Sequence, residues 1–210
     1  MAKKPAPKKR ASRKHASRRP PESEIVDVQE EIFALKEKLS GLRRKVRPSR
    51  VEDYALRDHD GKPLSLAAAF GKKKDLLVVH NMGKKCPYCT LWADEMNGVL
   101  AHIQNRTAFL VTSPDDPKTQ RAFRKSRGWK FRMASVAGTA FARDMGFEPR
   151  SGVYWPGVTS FRKAGGNKIE RVTSAFFGPG DDFCAVWSYF DLLDGGAGGW
   201  QPRFRYPRER

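Results

Sequence analysis

Two neighbouring features restrict this chain most: the apolar run Leu76-Leu77-Val78-Val79 and the tetrad Cys86-Pro87-Tyr88-Cys89 that follows it. Asp75 to His80 has no polar alternation, which predicts a strand buried on both faces, as in the middle of a parallel sheet. Cys86 to Asn105 reads as a helix with Leu91, Trp92, Met96, Val99, Leu100 and Ile103 on its apolar side. The loop Asn81 to Lys85 joins the two, so the cysteine pair opens a helix at the end of a central strand. A thiol at that place faces unpaired backbone N–H groups and the positive end of the helix dipole. Lys84 and Lys85 add positive charge beside it. All of these favour the thiolate, which is the nucleophilic form. Pro87 suits the first helical turn, where a missing N–H costs nothing. Cys89 stands one turn after Cys86, within reach of a disulfide with it. Cys86 is therefore read as the nucleophile and Cys89 as the resolving thiol.

Zinc is the rival explanation of such a pair. A single Cys-x-x-Cys offers two ligands where structural zinc takes four. His80, His102 and Cys184 complete no second pair at a suitable spacing. Redox chemistry is preferred over zinc and over inert buried thiols, and no metal is expected.

The rest of the chain alternates strands and helices. Strands are expected at Asp53 to Arg57, Ala108 to Thr112, Phe131 to Val136, Val158 to Arg162 and Lys168 to Val172. Helices are expected at Leu64 to Phe70, Asp115 to Arg127, Thr139 to Met145 and Asp181 to Leu193. This order gives an α/β sandwich, a central mixed sheet flanked by helices.

Composition matters for what surrounds that core. Of 210 residues, 41 are Lys or Arg and 23 are Asp or Glu, a net charge of +18. Residues 1–21 carry nine of these bases and no acid, four prolines, and no large apolar residue after Met1. Such a segment cannot bury enough surface to offset its ordering entropy, so residues 1–22 are expected to form a disordered basic arm. It suits nonspecific contact with a polyanion through counterion release, and equally a solubilising tail. From Ser23 the pattern changes. Ile25, Val28, Ile32, Leu35, Leu39, Leu42 and Val46 follow one another at alternating spacings of three and four, a heptad seam on a helix over residues 23–47 that Pro48 ends. The seam suits packing against the chain's own domain, the preferred reading, or a two-stranded coiled coil that would make a homodimer. No apolar run reaches membrane-spanning length, and no apolar stretch follows the basic N-terminus as in a secretory signal. Three cysteines cannot build a disulfide scaffold. A reducing, cytoplasmic setting is expected, with no membrane contact.

The cysteine pair, set between strand and long helix, resembles the thioredoxin superfamily, and Cys86-Pro87-Tyr88-Cys89 matches the tetrad typical of glutaredoxins. Residues 49–206 are similar to the thioredoxin-like bacterial family catalogued as domain of unknown function eight-nine-nine, described as predicted dithiol–disulfide oxidoreductases. The likeness rests on Ser49-Arg50-Val51, Asp53-Tyr54, Cys86 through Asp94, Asn97-Gly98, Arg127-Gly128-Trp129-Lys130-Phe131, Pro156-Gly157-Val158 and Phe177 through Phe183. The superfamily places a cis-proline before the third core strand, facing the cysteines, and Pro156 matches that position. Pro156 and its neighbour Trp155, with Pro87 and Tyr88 of the tetrad, are the expected substrate-contacting residues. The superfamily also has a buried carboxylate six residues before the first cysteine; here His80 stands there, and would serve as base for Cys89. Cys184 is read as core.

The resemblance and the residues together imply a thiol–disulfide oxidoreductase that needs no organic cofactor. Its partners would be a protein or small-molecule disulfide or thiol and an external thiol reductant. Two alternatives stand beside it. One is a peroxiredoxin-like thiol peroxidase, against which no Pro-x-x-x-Thr-x-x-Cys precedes Cys86. The other is a thioredoxin-fold binding module, tethered to nucleic acid or an acidic partner by the arm.

Overall fold

A computed structural model describes residues 20–166 and 168–207. The basic arm up to residue 19 and Asn167 of the expected hairpin turn lie outside the described residues. The chain divides into two compact units, one ending at Lys45 and one beginning at Val46.

The first unit is helix α1, Pro21–Lys45. It begins two residues before the expected start, because Pro21 takes the first helical position and the Pro20 carbonyl accepts the Ser23 N–H and hydroxyl. Glu22 and Glu24 sit in its first turn and Arg43, Arg44 and Lys45 in its last, both favourable to the helix dipole.

The second unit is built on an eight-stranded sheet in the order β1-β8-β7-β4-β5-β6-β2-β3. The strands are β1 (Ser49–Val51), β2 (Ala55–Asp58), β3 (Pro63–Ser65), β4 (Asp75–His80), β5 (Ala108–Ser113), β6 (Arg132–Ser135), β7 (Gly157–Lys163) and β8 (Ile169–Phe176). β4, β5 and β6 are parallel, and β7 returns antiparallel to β4, pairing Gly157 with His80. Strand β4 is central and keeps its expected bounds. Its residues alternate between two cores. Leu76 and Val78 join Phe141, Phe147 and Phe161 on one face. Leu77 and Val79 face Trp92, Ala93, Met96, Phe109 and Trp187 on the other.

Helices α2 (Leu66–Ala69) and α6 (Phe141–Asp144) cover the first core. Helices α3 (Pro87–Gly98), α4 (Leu100–Arg106), α5 (Pro117–Arg127) and α7 (Val186–Phe190) accompany the second. The single helix expected over Cys86 to Asn105 is two: Gly98 ends α3, and Val99 leaves helical geometry at φ −103°, ψ 11°. The helix expected over Asp181 to Leu193 shrinks to one turn and a half, because the Asp181 carboxylate accepts the Gly178 and Phe183 N–H groups and holds a loop there. Helix α5 starts at Pro117 behind an Asp116 cap and stops at Gly128, whose left-handed φ of 68° suits glycine. β1 carries no strand pattern of its own; its three residues are recruited by the edge of β8.

Candidate functional site

The site grows from the end of β4. Cys86 is the N-cap of α3 in extended geometry, with Pro87 behind it at the first helical position. An N-cap side chain accepts from the free N–H groups of the first turn. Here that acceptor is a sulfur: the Cys89 N–H donates to Cys86 Sγ at 3.0 Å. The Cys86 carbonyl in turn accepts the Thr90 N–H at 3.1 Å and the Thr90 hydroxyl at 3.0 Å. Cys86 is half-buried and Cys89 is buried, with 3% exposed; both thiols are free.

The two sulfurs are electrically unlike. The Cys89 thiol hydrogen bond, followed by the Cys89 and Tyr88 N–H groups, brings Cys86 from the ordinary thiol value of 9.0 down to about 7, against the opposing effect of burial. The same hydrogen bond, burial and the nearby Cys86 charge push Cys89 upward. One sulfur is thus a thiolate near neutrality and the other holds its proton. Lys84 and Lys85 lie exposed, where solvent screens their charge.

The loop before Cys86 is fixed by residues that the sequence motifs do not single out. Asn81 is buried; its Oδ1 accepts the Gly83 N–H at 2.8 Å and its Nδ2 donates to the Cys89 carbonyl at 3.4 Å. The Met82 N–H points at Cys89 Sγ, 3.5 Å away. Asp115, after β5, accepts the Lys84 N–H at 2.8 Å and the Ser113 hydroxyl at 3.1 Å. Gly83 has φ 103°, and a Cβ there would stand 3.1 Å from the Asp115 carboxylate. Asn81 followed two residues later by Gly83 is a legible Asx-turn signal; Asp115, 31 residues beyond Lys84, carries none.

His80 is not brought to Cys89. It shares the β4 face of Leu76 and Val78, opposite the face that α3 packs on. Its ring stacks on Phe147 with centroids 3.9 Å apart and on Phe141 at 5.6 Å. Nε2 shares a 2.9 Å hydrogen bond with the Thr159 hydroxyl, and Nδ1 has no hydrogen-bond partner among the described residues. Burial, aided by the Arg171 charge, pulls it from 6.5 down to about 3, so it stays neutral at ordinary pH.

Pro156 precedes β7, and the Gly157–His80 pairing sets it at the same sheet end as the cysteine loop. No peptide bond among the described residues is cis, so the expected cis-proline turn is absent; the Pro156 carbonyl instead accepts the Phe177 N–H. Trp155 is 47% exposed and packs edge-on against Phe176. Tyr88 stacks on Trp187 and tilts against Trp92, so it is half-buried. Cys184 is buried, as expected for a core residue. Among the described residues no three His, Cys, Asp or Glu side chains converge to hold a metal ion. None of the described helices is long and apolar enough to cross a membrane.

Comparison with known proteins agrees with this architecture. Peroxidoxin BcpB from Mycobacterium tuberculosis superposes with a TM-score of 0.52 at 19% identity, over 61% of this chain and 84% of that one. Peroxiredoxin Q from Xanthomonas campestris gives 0.49 at 19% identity, over 59% and 80%. A hypothetical protein from Sinorhizobium meliloti gives 0.48 at 17%, over 76% and 88%. The first of these shows the thioredoxin-like fold. No curated protein matches the sequence. A family model does match, and it takes in helix α1 as well as the residues from 49 onward that carry the motifs: over residues 19–204, the chain belongs to the family described as bacterial protein of unknown function (DUF899).

Proposed function

We propose that this protein is a thiol–disulfide oxidoreductase. The observation that carries the proposal is the split of the pair: an N-cap Cys86 thiol held near pH 7 and a buried, protonated Cys89 one turn behind it. The Cys86 thiolate attacks one sulfur of a substrate disulfide; a Cys86–substrate bond forms and the other substrate sulfur leaves as thiolate. Once Cys86 is in the mixed disulfide it no longer holds charge against Cys89. Cys89 then loses its proton to the departing thiolate or to water and attacks Cys86 Sγ. A Cys86–Cys89 disulfide forms and the second substrate thiol is released. An external dithiol resets the pair by the same exchange in reverse. Trp155, Pro156, Pro87 and Tyr88 form the contact rim in this proposal, while His80 acts as core rather than as base.

Thiol peroxidase chemistry is the second reading, favoured by the structural likeness to a peroxidoxin. Cys86 would attack a hydroperoxide oxygen, giving a sulfenic acid and an alcohol or water, and Cys89 would close the disulfide with loss of water.

The test equilibrates purified protein with graded thiol–disulfide buffers and counts free thiols by a mass-shifting reagent. Cys86 and Cys89 titrating together as one two-electron couple, lost in Cys86→Ser, supports the proposal. Two thiols that stay free under oxidising conditions would overturn it. Rapid stoichiometric formation of the same disulfide with a hydroperoxide would favour the second reading. A module that works through its basic arm would keep its function in Cys86→Ser and lose it on deletion of residues 1–21; for the oxidoreductase the reverse holds.

A further inference from the structure

Sequence periodicity leaves the seam of α1 open to a second helix, and the distribution of charge along α1 selects the direction and register of that helix. By itself, the helix buries none of its side chains. Ile25, Val28, Ile32, Leu35, Leu39 and Leu42 are each 42 to 57% exposed. Counting Ile25, Ile32 and Leu39 as the a positions of the heptad, Val28, Leu35 and Leu42 are the d positions. The helix is also an electrical dipole in its side chains. Residues 21–33 hold five acids and no base; residues 34–46 hold five bases and one acid.

We propose that the partner of this seam is α1 of a second copy of the chain, lying antiparallel. In an antiparallel pair each a residue faces a d residue of its mate, and the flanking e and g residues face their own kind. Pairing Ile32 with Leu35 of the second copy places Val28 against Leu39 and Ile25 against Leu42. With the symmetry mates, six wholly apolar layers form, over about 25 Å of helix at 1.5 Å per residue. In that register Gln29 flanks Lys36, and the pairs in which both members are charged are Glu31 with Lys38, Glu24 with Lys45 and Glu22 with Arg43, each occurring twice. All are of opposite sign.

The alternatives lack this fit. A parallel pair would set Glu31 against Lys36 but Lys38 against Arg43, a repulsion present twice. An antiparallel pair slid by one heptad would set Lys38 against its own copy. Surface ion pairs add little affinity, but like charges across a seam choose register and direction. A two-fold pair is also the commonest form of self-association, with the same patch used on both copies.

The experiment is sedimentation equilibrium of the full chain in low salt with reductant present, so that cysteine cross-links do not count. The wild type sediments as a dimer. Leu35→Asp puts two carboxylates into the central layers and yields monomer; unchanged near-UV tryptophan bands, which come only from the second unit, and retained Cys86 reactivity show that the body still folds. Lys38→Glu turns both Glu31 pairs into carboxylate against carboxylate and weakens the dimer roughly tenfold. Glu31→Lys combined with Lys38→Glu restores the opposite-sign pairs and recovers the wild-type constant to within about threefold. A monomeric or tetrameric wild type, or a dimer indifferent to Leu35→Asp, would overturn the proposal. So would a dimer tightened by Lys38→Glu, which is the signature of parallel helices.

Discussion

Replacing Cys89 by Ala tests what holds the Cys86 thiolate. In the wild type Cys86 titrates near 7 instead of 9.0, chiefly through the Cys89 thiol and then through the first-turn N–H groups. At pH 7 about half of Cys86 is thiolate, against about 1% for an ordinary thiol, a gain of about fiftyfold. Thiolate nucleophilicity falls with pKa at a Brønsted slope of about 0.4–0.5, so two units take back about six- to tenfold. The net expectation at pH 7 is alkylation about five to eight times faster than an unperturbed cysteine. The assay is the pseudo-first-order rate with iodoacetamide from pH 5 to 10, with Cys86 followed by peptide mass. The wild-type rate should rise through a midpoint near 7. In Cys89→Ala the thiol donor is gone while the backbone N–H groups at residues 88 and 89 remain, so the midpoint moves up but stops short of 9.0. The sign for stability follows. A thiol whose folded pKa is depressed stabilises the fold above its unfolded value, and that contribution is lost as pH falls toward about 7. A wild-type midpoint near 9, or one unmoved by Cys89→Ala, refutes the reasoning.

Three further outcomes follow from the same geometry. His80 carries no proton in the folded state until about pH 3, whereas the unfolded chain takes one up near 6.5. Urea stability therefore falls between pH 6.5 and 5 by up to about 2 kcal/mol from this group alone; His80→Gln flattens that slope and leaves the Cys86 alkylation midpoint in place, and a shifted midpoint would make His80 part of the site after all. Gly157→Ala drives a Cβ into the Phe147 ring and the Ala175 carbonyl, closer than a Cβ can stand to either. Overpacking of that kind costs about 3 kcal/mol, read by calorimetry as a Tm lower by about 10 °C; a change under about 2 °C would contradict the packing. Asp94 accepts from the Arg127 guanidinium and from the Trp129 indole N–H, and Trp129 is buried. Asp94→Ala strands that N–H and lowers urea stability by about 1–3 kcal/mol, with Asp94→Asn retaining a part of it.

The fold was most legible where a segment's own pattern sufficed. Asp75 to His80 keeps its bounds because an all-apolar strand has one use, the centre of the sheet. Cys86 at the head of α3 follows from proline and helix-start chemistry within four residues. Legibility fails where distant groups decide. Nothing within residues 181–193 reveals that Asp181 spends its carboxylate on loop N–H groups and cuts the helix short. β1 is a strand only because β8 offers it an edge. His80 fails for a subtler reason. Its distance in sequence from Cys86 suits a base, but its position on β4 gives it the parity of Leu76 and Val78, and parity decides which face it joins. Counting along the strand could have shown this; counting back from the cysteine could not.

The absent side chain at Gly157 reaches further than its own stability cost. The space it leaves is filled by Phe147, and Phe147 is the ring against which His80 stacks. Three positions far apart in sequence thus share one volume. A relative that enlarges residue 157 must shrink residue 147 and also move the β8 backbone at residue 175, and a smaller residue 147 uncovers the histidine beside it. The three positions are therefore expected to change together across the family or not at all, so variation there records a shared packing history.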